Sequence, residues 1–401
     1  MSDSPPSSAP TENGWTELCI TLAIQATASM ALLTLPAAAP LVGEAIGVAP
    51  SLIGVFIGLA YCGCIVGSLG AGAAIQRWGA IRVSQAGLVA GATGLLLCCT
   101  GAWPAMLAAA LIMGLGYGPI TPASSHLLIR NTPPHRLSLV FSLKQTGVPL
   151  GGLLAGAIAP GLMLAVGWRT GLSLIALACL VCVVVSQPLR RTLDAQRLPG
   201  ARFGIGQLGA PIRLVLGQGQ LRSLAISSAY LSAIQLIVTT YTVIYLHVEL
   251  GFGLIAAGLA LSVCQAAGMV GRVAWGQLAD SGLGARRTLM GLTVLVVLCC
   301  LGMATLPAGA PVSLVLALLA LFGATAIGWN GVVLAEVARR APHGSAGMAT
   351  GGTSALTFLG VVIGPPAFSL VATLTGSYRN AYFLMAALVV WSLIGLRRMH
   401  R

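Results

Sequence analysis

Two cations stand inside apolar runs where a charged side chain is costly: Lys144, the only lysine in the chain, and Arg272. A charge at the centre of a membrane helix costs roughly 2.5 to 3.5 kcal/mol on insertion scales, so a residue kept there marks a ligand or ion path unless it reaches the surface. Lys144 lies six residues inside its apolar run and Arg272 six residues from the end of its own. At 1.5 Å per residue both are about 9 Å deep. No carboxylate accompanies them, because Glu17, Asp280 and Glu336 fall at one set of run ends and Glu44 and Glu249 near the other. Two embedded cations without an acid suit an anionic ligand, whereas a proton-coupled exporter of cations needs a carboxylate that alternates between proton and cargo. For a coupling proton, the carriers that remain are Glu336, His126 or the carboxyl group of the substrate itself. The alternative for Arg272 is a brace or a side chain that snorkels to the surface. For Lys144, snorkelling would have to bypass the glycine-rich face that follows it.

The surrounding composition says what must position these groups. Of 401 residues, 57% are hydrophobic, 7% are charged and 52 are glycine, against about 25% charged and about 7% glycine in soluble domains. A soluble enzyme, a disordered chain and a disulfide scaffold are excluded, and a polytopic membrane protein is indicated. The net charge of +13 raises nucleic-acid binding, but the basic residues sit between apolar runs and form no dense patch. The ten cysteines lie in apolar stretches away from His or carboxylate partners, so no metal site and no cofactor is expected, and they read as small buried hydrophobes.

A span needs about 20 mostly apolar residues. Twelve are predicted, at 17–39, 51–75, 83–101, 104–128, 138–163, 168–187, 222–246, 254–278, 288–307, 312–336, 346–371 and 379–396. Seventeen of the 21 basic residues fall in connections on one side, among them Arg77, Arg82, Arg130, Arg136, Arg286, Arg287, Arg339 and Arg340; only Arg169 and Arg379 fall on the other. The excess of positive residues on the inside of membranes therefore predicts cytoplasmic termini in the cytoplasmic (inner) membrane. The organisation expected is a disordered tail at 1–14, a six-helix bundle at 15–187, a cytoplasmic loop at 188–221, a second bundle at 222–396 and a tail at 397–401.

Internal repetition supports two halves. Gly72 to Arg82 recurs as Gly276 to Arg287, Pro134-His135 as Pro342-His343 and Trp168-Arg169 as Tyr378-Arg379, at offsets of 204, 208 and 210. Six-span repeats bind substrate near the midplane between the halves. The loop residues Gly276, Leu278, Ala279, Asp280, Gly284, Arg286 and Arg287 resemble the G-x-L-A-D-R-x-G-R-R loop of the major facilitator superfamily, with two extra residues before the glycine. In the first half Gly72, Arg77, Gly79 and Arg82 match, and Gln76 stands where the family usually has Asp. Gly147, Pro149, Gly151, Gly152 and Gly156 are similar to its fifth-helix G-x-x-x-G-P-x-x-G-G pattern, with the proline one residue early.

The resemblance covers about 15–396 and implies an all-α membrane fold of twelve helices in two six-helix bundles. It implies a secondary transporter, not an enzyme, with a small-molecule substrate, the lipid bilayer and a coupling proton or counter-anion as partners. It places the fifth and eighth helices side by side, so that Lys144 and Arg272 face one cavity. In monocarboxylate and oxalate-type carriers a similarly placed arginine binds the substrate carboxylate. The cavity-lining first, fourth, seventh and tenth helices contribute Gln25, Tyr117, Gln235, Trp329 and Asn330, with Trp329 placed to close over a ligand. Gln265 lies near the midpoint of the eighth. Bonding between helices is the alternative for each. Arg77, Asp280, Arg286 and Arg287 are expected to gate the cytoplasmic side, and Gly147, Pro149 and Gly151 to let the fifth helix pack closely or slide. Pro36, Pro365 and Pro366 are expected to kink or break their helices. The function expected is alternating-access transport of a small organic anion, such as a monocarboxylate. The rivals are an exporter of neutral or cationic drugs and a sensor that does not transport.

Overall fold

In the computed structural model, which describes residues 14–48, 53–195, 197–198, 200 and 208–397, the apolar runs are helices. The expected N-terminal tail and the last basic residues, Arg398 and Arg401, lie outside the described residues, as does Arg202. The first half comprises α1 (Gly14–Ala37), α2 (Ala39–Ile46), α3 (Ile53–Trp78), α4 (Ala80–Cys98), α5 (Trp103–Tyr117), α6 (Ile120–Asn131), α7 (Leu137–Gln145), α8 (Gly147–Val166) and α9 (Trp168–Ser186). Two short helices follow, α10 (Arg190–Leu193) and α11 (Ala210–Gly217). The second half comprises α12 (Gly219–Val248), α13 (Leu254–Asp280), α14 (Ala285–Thr305), α15 (Val312–Ala326), α16 (Asn330–Arg340), α17 (Ala346–Thr375) and α18 (Tyr378–Arg397). Among the described residues ten segments are long and apolar enough to cross a membrane, and α13 and α18 add helices of 27 and 20 residues. This is the twelve-span fold in two pseudo-repeats.

Three expected single helices are each two, for local reasons. Pro119 and Pro149 lack the amide that would bond to the carbonyl four residues earlier, which interrupts the fourth span between α5 and α6 and the fifth between α7 and α8. In the tenth span the Trp275 indole donates to the Ala324 carbonyl at 2.8 Å, the acceptor that a continuous helix would offer to Gly328. The prolines expected to break the eleventh span do not: α17 runs through Pro365 and Pro366, and the Tyr241 hydroxyl bonds the Pro365 carbonyl at 3.2 Å. The carbonyls that this pair leaves without a helical donor are those of Val361 and Val362, and proline is tolerated within membrane helices. Pro36 is the penultimate residue of α1, and the chain does break there before α2.

Packing shows the repeat directly. α1 packs on α8, α3 on α5 and α4 on α9, as α12 packs on α17, α13 on α15 and α14 on α18. Apolar side chains such as Leu164, Val184, Val270 and Leu374 are at least 70% exposed, the surface a helix bundle offers to hydrocarbon. Small residues set the close approaches. A Cβ at Gly151 would strike the Ala26 carbonyl and Ser29, and one at Gly147 would press on Leu22 and Gln25, so α8 lies against α1 on backbone. The halves meet at the arginine-rich end, where α7 packs on α13 and α16, and α6 and α3 pack on α17. Leu128, Leu137 and Phe141 of the first half there share one apolar cluster with Leu334, Ala335, Ala338 and Ala346 of the second. Beyond the breaks, α5 and α8 make their main contacts within their own half.

The expected loop at 188–221 is partly structured. Asp194 reaches α4 and accepts from the amides of Ile81 at 2.9 Å and Arg82 at 3.0 Å, while the Leu198 amide donates to the Gln76 carbonyl at 2.7 Å. Gly79 makes room for this: its φ is +93°, and a Cβ there would sit on the Asp194 carboxyl. Burial pushes the Asp194 carboxyl above the ordinary aspartate range, against the pull of the two amides and of Arg190 and Arg197. Asp194→Ala is expected to cost about 0.5 to 2 kcal/mol, and Asp194→Asn, which keeps an acceptor oxygen, less. Thermal unfolding in detergent reads both; no loss in Asp194→Ala would show that the cap contributes nothing, and equal losses would show that both carboxylate oxygens are needed.

Candidate functional site

Lys144 is the penultimate residue of α7, just before the break at Thr146, and is 1% exposed. Its Nζ donates to Gln25 Oε1 of α1 at 2.7 Å and to Gln145 Oε1 at 3.1 Å. Gln25 also accepts from Thr121 at 3.2 Å, and its amide donates to the Tyr117 hydroxyl at 2.9 Å and to Ser29 at 3.5 Å. Ser29 and Tyr117 are themselves 3.1 Å apart. Three spans of the first half thus converge on one amide.

Arg272 arrives from α13 in the other half, also 1% exposed, and its Nη1 donates to the Gln145 carbonyl at 2.5 Å. Gln145 therefore carries both cations, Lys144 on its side chain and Arg272 on its backbone. Among the described residues neither cation is in a salt bridge, and Arg272 Nε is buried without a partner. The acceptors present are neutral, so among the described residues the two cations have no counter-charge.

The other expected site residues form a second group. The Asn330 amide donates to Gln235 Oε1 at 3.0 Å, joining α16 to α12. Trp329 lies in the break before α16, 1% exposed in the core of the second half, with its indole Nε1 unpartnered among the described residues. Gln145, Ser29 and Thr121 were absent from the sequence-based set. Gln145 had a signal in the proline four residues after it; the other two are small hydroxyls on polar helix faces, which sequence does not distinguish from packing groups.

The arginine-rich end is held by Asp280, at the end of α13. It accepts from the amides of Ser138 at 3.0 Å and Leu139 at 2.8 Å, the start of α7 in the other half. An anion there also meets the positive end of the helix dipole. Arg339 approaches Asp280 at 3.6 Å, donates to Glu336 at 2.7 Å and reaches the Pro134 carbonyl at 3.3 Å. Arg340 also binds Glu336, which ties that expected proton carrier into an ion-pair cluster. Ser142 is wedged between Gly276 and Gly331, where a Cβ on either would strike it. Arg77 and Arg287 are exposed, Arg77 lying 5.7 Å from the Trp78 ring centroid, and Arg286 is half-buried. Outside this closure lies a cavity of about 720 Å³ lined by His126, Arg130, Arg197, Arg339 and His343 among others.

Comparison with known proteins agrees with this architecture. Residues 18–365 match the profile described as Major Facilitator Superfamily. An uncharacterized MFS-type transporter of Mycobacterium tuberculosis is 27% identical over 167 residues, 42% of this chain. The match spans 36% of that relative's length. The hexuronate transporter of Bacillus subtilis is 23% identical over 314 residues, 73% of this chain and 72% of that protein. Among solved structures, the human organic anion transporter MFSD10 (TETRAN) superposes with a TM-score of 0.77 at 18% identity, covering 97% of this chain and 100% of that one. At that identity the likeness is one of fold.

Proposed function

The chain belongs to the major facilitator superfamily, and from that premise we propose that it is a transporter that carries a small organic anion across the cytoplasmic membrane by alternating access. The observation that carries the substrate class is the meeting of Lys144 and Arg272 on Gln145 without a carboxylate partner among the described residues. A small carboxylate satisfies both cations, and Gln25, Tyr117 and Thr121 offer amide and hydroxyl groups to orient it, with Gln235, Asn330 and Trp329 contributed by the other half. The name of the Bacillus subtilis relative denotes a sugar-acid anion, which supports the class.

In this proposal the halves, 15–187 and 222–396, rock about the site, with 188–221 joining them. The arginine-rich end faces the cytoplasm, as do both termini. Asp280, Arg77, Arg286 and Arg287 serve that gate, and Gly147, Pro149 and Gly151 shape the fifth span. In the structure the arginine-rich end is closed, which in this proposal is the cytoplasmic side.

A thermal-shift screen of purified protein tests the substrate class. Lactate, pyruvate, benzoate and glucuronate are compared with a quaternary amine and with glucose. A ligand of the folded state at 100 times its Kd adds about 2.7 kcal/mol of stability, so binding carboxylates are expected to raise the unfolding temperature and to exchange in proteoliposome counterflow. Stabilisation by the amine alone would sink the anion reading in favour of an exporter. Carboxylate binding with no counterflow would make the protein a sensor.

A further inference from the structure

Pro149 stands four residues after Gln145, so the amide that would close the helical bond onto the Gln145 carbonyl does not exist. An open carbonyl at this depth requires another donor, and Arg272 Nη1 supplies it from the opposite half at 2.5 Å. In a guanidinium Nη1 lies on the Cδ side, and Nε and Nη2 form the opposite edge, which is the fork that grips both oxygens of a carboxylate. Here Nε is buried and has no partner among the described residues, in a side chain that is 1% exposed. The anchored nitrogen is the one that such a grip does not need.

Resting on the anion reading above, we propose that Pro149 is a positioning residue, which opens the Gln145 carbonyl to hold Arg272 by Nη1 and so presents its Nε–Nη2 edge to both oxygens of a substrate carboxylate. Lys144, fixed to the side chain of the same Gln145, completes the charge pairing. A flexible arginine without the anchor would have to be ordered at the moment of binding, which lowers affinity. The anchor also joins the two halves, Gln145 in the first and Arg272 in the second. When the halves part at the arginine-rich end, the fork loses its hold, which favours release of the carboxylate on that side.

A double-mutant cycle tests the proposal: wild type, Pro149→Ala, Arg272→Lys and the double variant are titrated calorimetrically into the millimolar range with lactate, benzoate and glucuronate. Alanine restores the amide that competes for the Gln145 carbonyl, and lysine has no fork to position. Pro149→Ala is expected to weaken carboxylate binding about tenfold in the wild type and less than about twofold in the Arg272→Lys background. Equal losses in both backgrounds would reduce Pro149 to a helix-shaping role and overturn the proposal, as would unchanged affinity in the single variant. A second arm does not depend on the folding of Pro149→Ala. Arg272→Lys, which keeps the charge, is expected to bind within about threefold of Arg272→Gln, because the fork carries the affinity; wild-type affinity in Arg272→Lys would overturn the proposal. If the wild type binds none of the three carboxylates, the anion reading itself fails and this inference with it.

Discussion

Replacing Lys144 with methionine is expected to abolish stabilisation by carboxylates while leaving the unliganded protein at least as stable as wild type. The two halves of this prediction have one cause. Lys144 and Arg272 converge on Gln145 with neutral acceptors around them, so in the empty protein two like charges share a buried site without a counter-ion. An uncompensated buried charge is destabilising, and replacing it with an apolar side chain of similar volume removes that cost. Methionine is flexible enough to fill the same path, and Thr121 continues to donate to Gln25 Oε1. Binding is where the loss appears. Truncating one member of a buried charge pair costs about 2 to 5 kcal/mol, and every 1.4 kcal/mol is tenfold, so affinity falls by at least about thirtyfold. Thermal unfolding with and without benzoate reads both effects in one experiment. A variant that unfolds earlier than wild type yet keeps its benzoate shift would mean that Lys144 serves the fold and not the ligand.

The second large effect is expected from Gly331→Val. The atoms that a Cβ would meet at Gly331 include the Cα and backbone nitrogen of Ser142, so no change of rotamer relieves the overlap. Ser142 belongs to the first half and Gly331 to the second, and the clash falls on the seal of the arginine-rich end. Overpacking of this kind costs about 1 to 3 kcal/mol, which shifts an equilibrium between two arrangements roughly five- to 150-fold. The variant should therefore populate a form with that end open. Pulsed electron-spin measurement between labels at His135 and His343, which are exposed on opposite halves, should then show a longer distance. The same variant should bind carboxylates more weakly, since the Gln145 anchor for Arg272 is lost as the halves part. An unchanged distance distribution would show that the seal can absorb the extra side chain.

The sequence makes some parts of this structure legible and hides others, for physical reasons. Spans such as α4 and α9 are visible because hydrocarbon thickness demands about 20 apolar residues whatever the tertiary context. The interruptions at Thr146 and Gly328 are hidden because apolar character continues across them and glycine and proline are ordinary in membrane helices. The proline pair in α17 shows the converse, since a local breaking signal does not break the helix there. Lys144 and Arg272 stand out individually by their cost. Their meeting on Gln145 does not, because it depends on packing between helices 127 positions apart in the chain. One clue was local all the same: a proline at 149 leaves the carbonyl at 145 in want of a donor, and a buried arginine with no acid partner is in want of an acceptor. At the arginine-rich end, the loop pattern singles out Asp280, which caps the start of α7 from the other half. Its missing counterpart in the first half, where Gln76 replaces the usual acid, gave no hint that Asp194 would cap the start of α4 from beyond the sixth span.

That cap fixes where the two halves can be separated. Asp194 and Leu198 belong structurally to the first half, since Asp194 closes the start of α4 and Leu198 is bonded to Gln76. On a ribosome the first bundle is thus incomplete when its sixth helix emerges, and finishes only about a dozen residues later. Two separately expressed fragments divided after residue 200 should reassemble, whereas a division ahead of Arg190 would hand the lock for the first bundle to the wrong polypeptide.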